Sequence, residues 1–389
     1  MKIIHIITRL DKGGSAENVL ETCRYFSLGK SPLSRSYDII IIYGGKTKID
    51  FEFPIVSYYV SELQRNIFLF KDLVAFLKLV KIIKKEKPNI VHTHSSKAGI
   101  LGRTAAFFLK LIYPNFKDLK IIHTPHGHIF YGYYNKLFTK VFVILEKFVS
   151  LITDKLIALT EGEKEESLKY GVGKKDKWVV IHSGVNLDFG KIKNLRSELG
   201  VDNETLIVGT VARLEPVKGV VYFVESIPII LNSIKEKKVF FLIVGDGTQK
   251  KIIETKIKKF NLQHKVKLVG MREDVVDLIN TMDIYVQPSL NEGMGKTIVL
   301  ASALGKPVVA TKVQGIPSVV INCKTGLLVS PKDPQGLAEG ILKLINEPHL
   351  RVELGTNGKN FVTAKVNGYA KFSIERMIYL LEKLYKIYE

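Results

Sequence analysis

The chain has 389 residues, 46% of them apolar, enough for two domains with separate cores and too apolar for a disordered polymer. Its two cysteines, Cys23 and Cys323, exclude a disulfide framework and lack metal-ligand spacing, which favours a reducing, cytoplasmic setting. Of the net charge of +20, about +11 lies between Arg65 and Lys155, among the aromatics Phe68, Phe70, Phe130, Tyr131, Tyr133 and Tyr134. That mixture points to an anionic membrane surface or lipid, unless the lysines only cover solvated helix faces; no nucleic-acid-binding motif accompanies it.

The opening MKIIHIIT reads as a strand ending near Arg9 and Asp11, not as a signal peptide. Gly13 and Gly14 then lead into a helix with Ser15 expected as N-cap. The strands YDIIIIYG, NIVHTHS and KIIHTPHG alternate with helices from about Phe68 to Lys87 and about Gly99 to Leu111. In the first helix, Leu73, Phe76, Leu77, Val80 and Ile83 share one face, expected to pack on a sheet and leave Lys78, Lys81, Lys84, Lys85 and Lys87 outside. His123, His126 and His128 crowd after a strand; no carboxylate or cysteine joins them as a metal set, and a loop histidine at a strand's carboxyl end is a functional candidate. Glu146, Lys147, Asp154 and Lys155 interrupt the one long apolar stretch, LFTKVFVILEKFVSLITDKLIAL, so no transmembrane span is expected.

After the strands KLIALT and KWVVIHSG, the polar stretch NLDFGKIKNLRSELGVDNE reads as an interdomain linker. A second βα series follows: TLIVGTVARL, a helix after Lys218, VFFLIVGDG, a helix from about Gln249 to Phe260, VKLVGM, then DIYVQPSLNEGMGKTIVLASALGKPVVAT, TGLLVS and a helix from Pro334 to Ile345. Continuous apolar strands alternating with amphipathic helices specify α/β architecture: two doubly wound, Rossmann-like parallel-sheet domains facing across a cleft. The expected division is 1–184, 185–370, and a C-terminal helix in 371–389 that packs back across the junction.

The centre of the second half is the turn from Asn291 to Gly295, where Glu292 sits beside glycines at a helix start, a place that suits an anionic ligand. It is not a Walker A loop, because Leu290 stands where the first glycine would be. VGDGTQKK is not a dinucleotide fingerprint either, since Lys250 replaces the third glycine.

With DKGGSAENV, HTPHGH, VARLEPVKG, VGDG followed by VKLVGMREDV, and PSLNEGMG in this order, nearly the whole chain resembles the retaining glycosyltransferases of family 4, which have the GT-B fold. The resemblance implies a hexosyltransferase-type enzyme that uses a nucleotide-sugar, with UDP-sugars favoured, and a lipid-linked or glycan acceptor in cell-surface polysaccharide synthesis. It implies that Arg213 and Lys218 grip the donor diphosphate in place of a metal, so neither cofactor nor metal is expected. Cations and N–H donors aimed at the leaving diphosphate are what this chemistry needs. It further places Glu292 on the donor sugar, the backbone of Gly293, Met294, Gly295, Lys296 and Thr297 toward the diphosphate, and that of Gly270, Met271 and Arg272 against the base. Gly14 falls near the phosphate or acceptor, and His126 beside the donor sugar and acceptor. One position departs from the pattern: Leu300 stands where the family has a glutamate that holds the donor ribose. The alternatives are an impaired protein that binds nucleotide-sugar or anionic lipid without turnover, and a GT-B epimerase or inverting transferase with His126 as base.

Overall fold

The computed structural model describes residues 1–10, 13–30, 32–33, 37–46, 48–64, 66–127, 136–234 and 237–388. Asp11, Arg65, His128, Phe130, Tyr131, Tyr133 and Tyr134 lie outside the described residues. The chain begins β1 (Lys2–Ile7), α1 (Gly14–Ser27), β2 (Asp38–Tyr43), β3 (Val56–Tyr59), α2 (Leu69–Glu86), β4 (Ile90–His94) and α3 (Ser96–Ile112). It continues through β5 (Lys120–Thr124), α4 (Lys136–Leu151), β6 (Lys155–Ala158), α5 (Glu161–Lys169) and β7 (Trp178–Val180). Next come α6 (Arg196–Leu199), β8 (Leu206–Val211), α7 (Val220–Ser233), β9 (Val239–Val244), α8 (Lys250–Lys259), β10 (Val266–Leu268), α9 (Val275–Thr281) and β11 (Ile284–Gln287). The last elements are α10 (Lys296–Ala303), β12 (Val308–Thr311), β13 (Leu327–Val329), α11 (Pro334–Asn346), α12 (Pro348–Thr363), the short hairpin β14 (Lys365–Val366) and β15 (Tyr369–Ala370), and α13 (Ile374–Lys386). Among the described residues no helix is long and apolar enough to cross a membrane.

Two compact units result. One takes the described residues up to Gly184 together with those from Ile374 on; the other takes Val185–Ser373. In the first, a parallel sheet runs β3-β2-β1-β4-β5-β6-β7, and its direction of growth reverses between β1 and β4. Alternate residues of β1 serve opposite faces: Ile3 and Ile7 pack with Val19 and Phe26 of α1, while Ile4 and Ile6 pack with Leu79 and Ile83 of α2 and Leu109 of α3. Helix α13 joins the α1 face through Met377, Ile378, Leu381 and Tyr385, so the end of the chain completes the core of its beginning.

Three local expectations are corrected. Gly13, not Ser15, is the N-cap of α1, and the helix starts at Gly14 without a side-chain cap. The buried face of α2 is Ala75, Leu79 and Ile83, whereas Leu73 and Leu77 are more than half exposed. Ala75, Leu79 and Ile83 stand at i, i+4 and i+8 on one stripe of the helix, and the stripe that begins with the small Ala75 is the one that the core takes in. The polar stretch read as a linker is folded into the second unit: Arg196 pairs with Asp283 at 2.6 Å and donates to the carbonyls of Asp202 and Thr205, and Leu195 N–H donates to Thr281 Oγ1. Its lost apolar period reflects polar anchoring, which hydropathy alone does not register.

The second unit's parallel sheet runs β10-β9-β8-β11-β12-β13 and reverses between β8 and β11. Both sheets are therefore doubly wound, the Rossmann-like arrangement expected from the alternating strands and helices. In such sheets loops diverge at the reversal and open a crevice beyond the strand carboxyl ends.

Candidate active site

In the second unit, the loop after β8 carries Arg213 and Lys218, and the loop after β11 carries Glu292. Backbone hydrogen bonds from Leu290 and Asn291 N–H to the Val217 carbonyl clip the two loops together. Gly219 makes the approach possible: its φ is +62°, and a Cβ there would stand 2.0 Å from the Pro288 carbonyl oxygen. The result is contact between Lys218 Nζ and Glu292 Oε2 at 2.5 Å, with both side chains largely shielded. Arg213 is half-buried, and its side chain makes no hydrogen bond or ion pair among the described residues.

Behind Glu292 runs a chain of buried polar groups that sequence reasoning missed. Tyr285 Oη and Thr297 Oγ1 both donate to Gln287 Oε1, at 2.8 and 3.1 Å. Gln287 Nε2 then donates to Ser289 Oγ at 2.7 Å, and Ser289 Oγ to Glu292 Oε2 at 3.1 Å. Burial pushes the Tyr285 hydroxyl well up, which keeps it a donor and orients the whole chain toward the carboxylate. The available signal was Gln287 itself, a polar residue closing an otherwise apolar strand, because buried amides need partners.

The Glu292 turn is also held from β12. Glu292 N–H donates to Gln314 Oε1 at 3.2 Å, Gly315 N–H donates to the Glu292 carbonyl at 3.1 Å, and a Cβ on Gly315 would fall 1.8 Å from the Gly293 carbonyl oxygen. Helix α10 then starts from Gly295 without a side-chain cap. Met294 is buried, while Gly293, Lys296, Thr297 and Leu300 are half-buried. Gly270 follows β10, and its carbonyl accepts from Gly245 N–H. Met271 is exposed, and the Arg272 guanidinium is held by Asp274 and Glu198. Arg272 thus offers backbone, not charge.

In the first unit the corresponding edge gathers Gly14, exposed at the start of α1, the contact of Thr8 Oγ1 with Ser95 Oγ at 2.6 Å, and His126 just after β5. His126 has φ +58°, and its Nε2 lies 2.9 Å from His94 Nδ1. The next residue is anchored by a buried carboxylate: Glu163 accepts from Gly127 N–H at 2.8 Å and from Leu159 N–H at 2.6 Å. Thr160 caps α5 by accepting from Glu163 N–H, so the Thr-x-x-Glu spacing was a readable signal for this anchor.

His123 is buried in β5 with Nδ1 2.9 Å from Thr93 Oγ1. A different trio, His5, His92 and His94, meets inside the sheet's α1 face. Hydrogen bonds occupy five of its six ring nitrogens. His94 uses both, His92 bonds Tyr385 Oη at 2.6 Å and Thr124 Oγ1 at 2.8 Å, and His5 uses Nδ1. The donor set is thus committed to imidazole and hydroxyl partners and fits a metal poorly. Burial holds His5 down to about 3 and His92, His94 and His123 well below the ordinary histidine value, all neutral near pH 7.

Two family descriptions match the chain: "Glycosyl transferases group 1" over residues 191–361 and "Glycosyltransferase Family 4" over residues 33–189. The UDP-Gal:alpha-D-GlcNAc-diphosphoundecaprenol alpha-1,3-galactosyltransferase of Escherichia coli is 32% identical over 335 residues, 85% of this chain and 83% of that protein. The capsular polysaccharide biosynthesis glycosyltransferase CapM of Staphylococcus aureus is 30% identical over 320 residues, 79% of this chain and 80% of that protein. Among solved structures, Anabaena Alr3699/HepE in complex with UDP and glucose superposes over 100% of both chains with a TM-score of 0.79 at 19% identity.

Proposed function

The chain belongs to the glycosyltransferases of GT-B fold, and from that membership we propose that it moves a hexose from a UDP-sugar to a lipid-linked glycan, retaining the anomeric configuration, during cell-surface polysaccharide assembly. The observation that carries this reading is the Lys218–Glu292 pair at the reversal between β8 and β11, beside the uncapped start of α10. Lys218 and Arg213 stabilise the departing diphosphate together with the N–H groups from Gly293 to Thr297, since fixed charges and donors act where negative charge develops. Glu292, set by Ser289 and Gln287, takes the donor sugar hydroxyls. The backbone of Gly270, Met271 and Arg272 meets the base, Gly14 the phosphate or acceptor, and His126 the sugar and acceptor. The two cations do the work of a metal. Leu300 leaves the ribose without a carboxylate partner, which weakens donor binding without removing the diphosphate grip.

The names of the two relatives support the choice of donor and acceptor, one specifying UDP-galactose and a diphosphoundecaprenol-linked sugar, the other capsule synthesis. A lipid-linked acceptor requires approach to a bilayer, and α2 and α4, each packed against α3, expose large apolar side chains suited to it: Leu69, Phe70, Phe148 and Leu151. Exposed Lys71, Lys81, Lys84, Lys85, Lys140 and Lys147 share these helices. The working place is then the cytoplasmic membrane surface.

The test is transfer from UDP-galactose, UDP-glucose, UDP-N-acetylglucosamine and GDP-mannose to a sugar-diphosphate-lipid acceptor, with the product's anomeric coupling read by NMR. Retained configuration from a UDP donor, insensitive to EDTA, is expected. An inverted product, or no transfer and no donor hydrolysis with any of the four, overturns the reading.

A further inference from the structure

The VGDG turn after β9 is no dinucleotide fingerprint, yet both of its glycines are required where they stand. Strands β8 and β9 run parallel in the register Val211↔Val244, and their pairing continues past the end of the sheet. Ala212 N–H donates to the Val244 carbonyl at 3.0 Å, Leu214 N–H to the Asp246 carbonyl at 2.9 Å, and Gln249 N–H to the Leu214 carbonyl at 2.8 Å. Arg213 is therefore flanked on both sides by residues whose backbones are bonded to the neighbouring loop. The glycines allow this closeness. Gly245 has φ +137°, and a Cβ on it would stand 1.9 Å from the Ala212 carbonyl oxygen; a Cβ on Gly247 would stand 2.7 Å from the Leu214 carbonyl oxygen. Between them Asp246 closes the turn, its Oδ1 accepting from Gly247 N–H at 2.7 Å. Thr248 Oγ1 adds a hydrogen bond to Glu215 Oε2 at 2.8 Å. On the side of β10 the same turn holds the next loop, because Gly245 N–H donates to the Gly270 carbonyl at 2.7 Å.

We infer that the VGDG turn is a positioning element for the diphosphate site: Gly245, Asp246 and Gly247 aim Arg213 and fix its spacing from the backbone at Gly270. A nucleoside diphosphate is read at its two ends, base and phosphates, and one turn bonded to both loops holds those ends at a set separation. A guanidinium stabilises a departing diphosphate best when it is already in place, since preorganised charge needs no rearrangement as the negative charge develops. Lys218, later in the same loop, is held from the other side, through Val217 and Gly219 against the β11 loop. The two cations are thus fixed by separate neighbours. This inference rests on the proposed function for its ligand, and it deepens that reading by giving Arg213 its support.

The test combines amide hydrogen exchange, calorimetry with UDP and UMP, and transfer kinetics, on the parent and on Gly247→Ala, Asp246→Ala and Asp246→Asn. The Leu214 amide is expected to exchange slowly in the parent and faster in Gly247→Ala and Asp246→Ala. Those two variants should bind UDP about tenfold more weakly, the scale of one charge-assisted hydrogen bond, with UMP much less affected. In an Arg213→Ala background neither should cost anything further, because a residue that acts through another loses its effect with it. Asp246→Asn keeps an acceptor for Gly247 N–H and should behave as the parent. Losses that add to that of Arg213→Ala, an Asp246→Asn as weak as Asp246→Ala, or parental UDP affinity in both Gly247→Ala and Asp246→Ala overturns the inference. If Gly247→Ala does not fold, the two Asp246 variants still decide. A parent that binds no nucleotide would sink the proposed function instead; the Leu214 amide then decides the turn alone, equal exchange in parent and variants counting against it and faster exchange in the variants upholding its grip on Arg213.

Discussion

Lys218 Nζ and Glu292 Oε2 meet at 2.5 Å although 74 residues separate them, and Ser289 adds a hydrogen bond to the same carboxylate oxygen. The contact unites a cation suited to phosphate with an acceptor suited to sugar hydroxyls, so each sets the other's position.

The first prediction follows from that contact. Lys218→Ala or Arg213→Ala should lower turnover by roughly a hundredfold or more, the scale of losing one preorganised charge-stabilising donor, with melting nearly unchanged. Lys218→Ala combined with Glu292→Ala should cost much less than the product of the single losses, because groups in direct contact are energetically coupled. Parental turnover by Lys218→Ala would remove the diphosphate from this loop.

Leu300 provides a gain-of-function test. It is half-buried on α10 and absent from the packed core of its unit, so a longer polar side chain has a route to solvent. Leu300→Glu should tighten nucleotide-sugar binding by about ten- to a hundredfold, the equivalent of charge-assisted hydrogen bonds of roughly 1.5–3 kcal/mol to ribose hydroxyls. Calorimetry gives the affinity and a melting curve of the free protein gives the control. Lower melting without tighter binding would mean that this face of α10 is turned away from the nucleotide.

Acid should weaken the first unit ahead of the second. Burial depresses His5, His92, His94 and His123 in the folded state, so between their folded values and the ordinary 6.5 the unfolded chain binds more protons, and stability falls as pH falls. That stability is present above about pH 7.5 and is lost progressively as the pH falls toward 5.5. Melting temperature followed from pH 7.5 to 5.5 checks this, and a flat profile would show that the imidazoles accept protons where they are.

Membrane attachment is tested by flotation with vesicles. Binding to anionic over zwitterionic lipid is expected, fading as the Debye length falls from about 10 Å at 0.1 M salt to about 3 Å at 1 M. Leu69→Ser with Phe70→Ser should weaken it, since those side chains are 86% and 79% exposed and their loss leaves the core intact. Equal binding to both lipids would discard the electrostatic component.

Most of the fold was legible because parallel strands buried on both faces are written as unbroken apolar runs, as in Ile39–Ile42 or Val239–Val244. The elements that escaped are those whose stability is tertiary. Helix α5, EGEKEESLK, has no apolar stripe and is defined by the Thr160 cap and the buried Glu163. Edge strand β3 is short and half exposed, and α12 carries two glycines that fit only because small residues let neighbouring backbone come close. At the candidate site, Arg213, Lys218 and Glu292 were individually readable from their motifs, but the contact of Lys218 with Glu292 was not. The hydrogen-bonded histidines were further out of reach: His5, His94 and His126 align only once the register Ile7↔His94 and His94↔Thr124 is known.

Because α13 supplies Met377, Leu381 and Tyr385 to the core that β1 begins, the first unit is unfinished until the ribosome has read through the whole second unit. During synthesis the earlier-made half must wait with an open apolar face while the later-made half, contiguous in sequence from Val185 to Ser373, is free to fold at once. A premature stop near residue 373 would therefore injure not the half it adjoins but the half that was begun first, leaving the α1 face of its sheet uncovered.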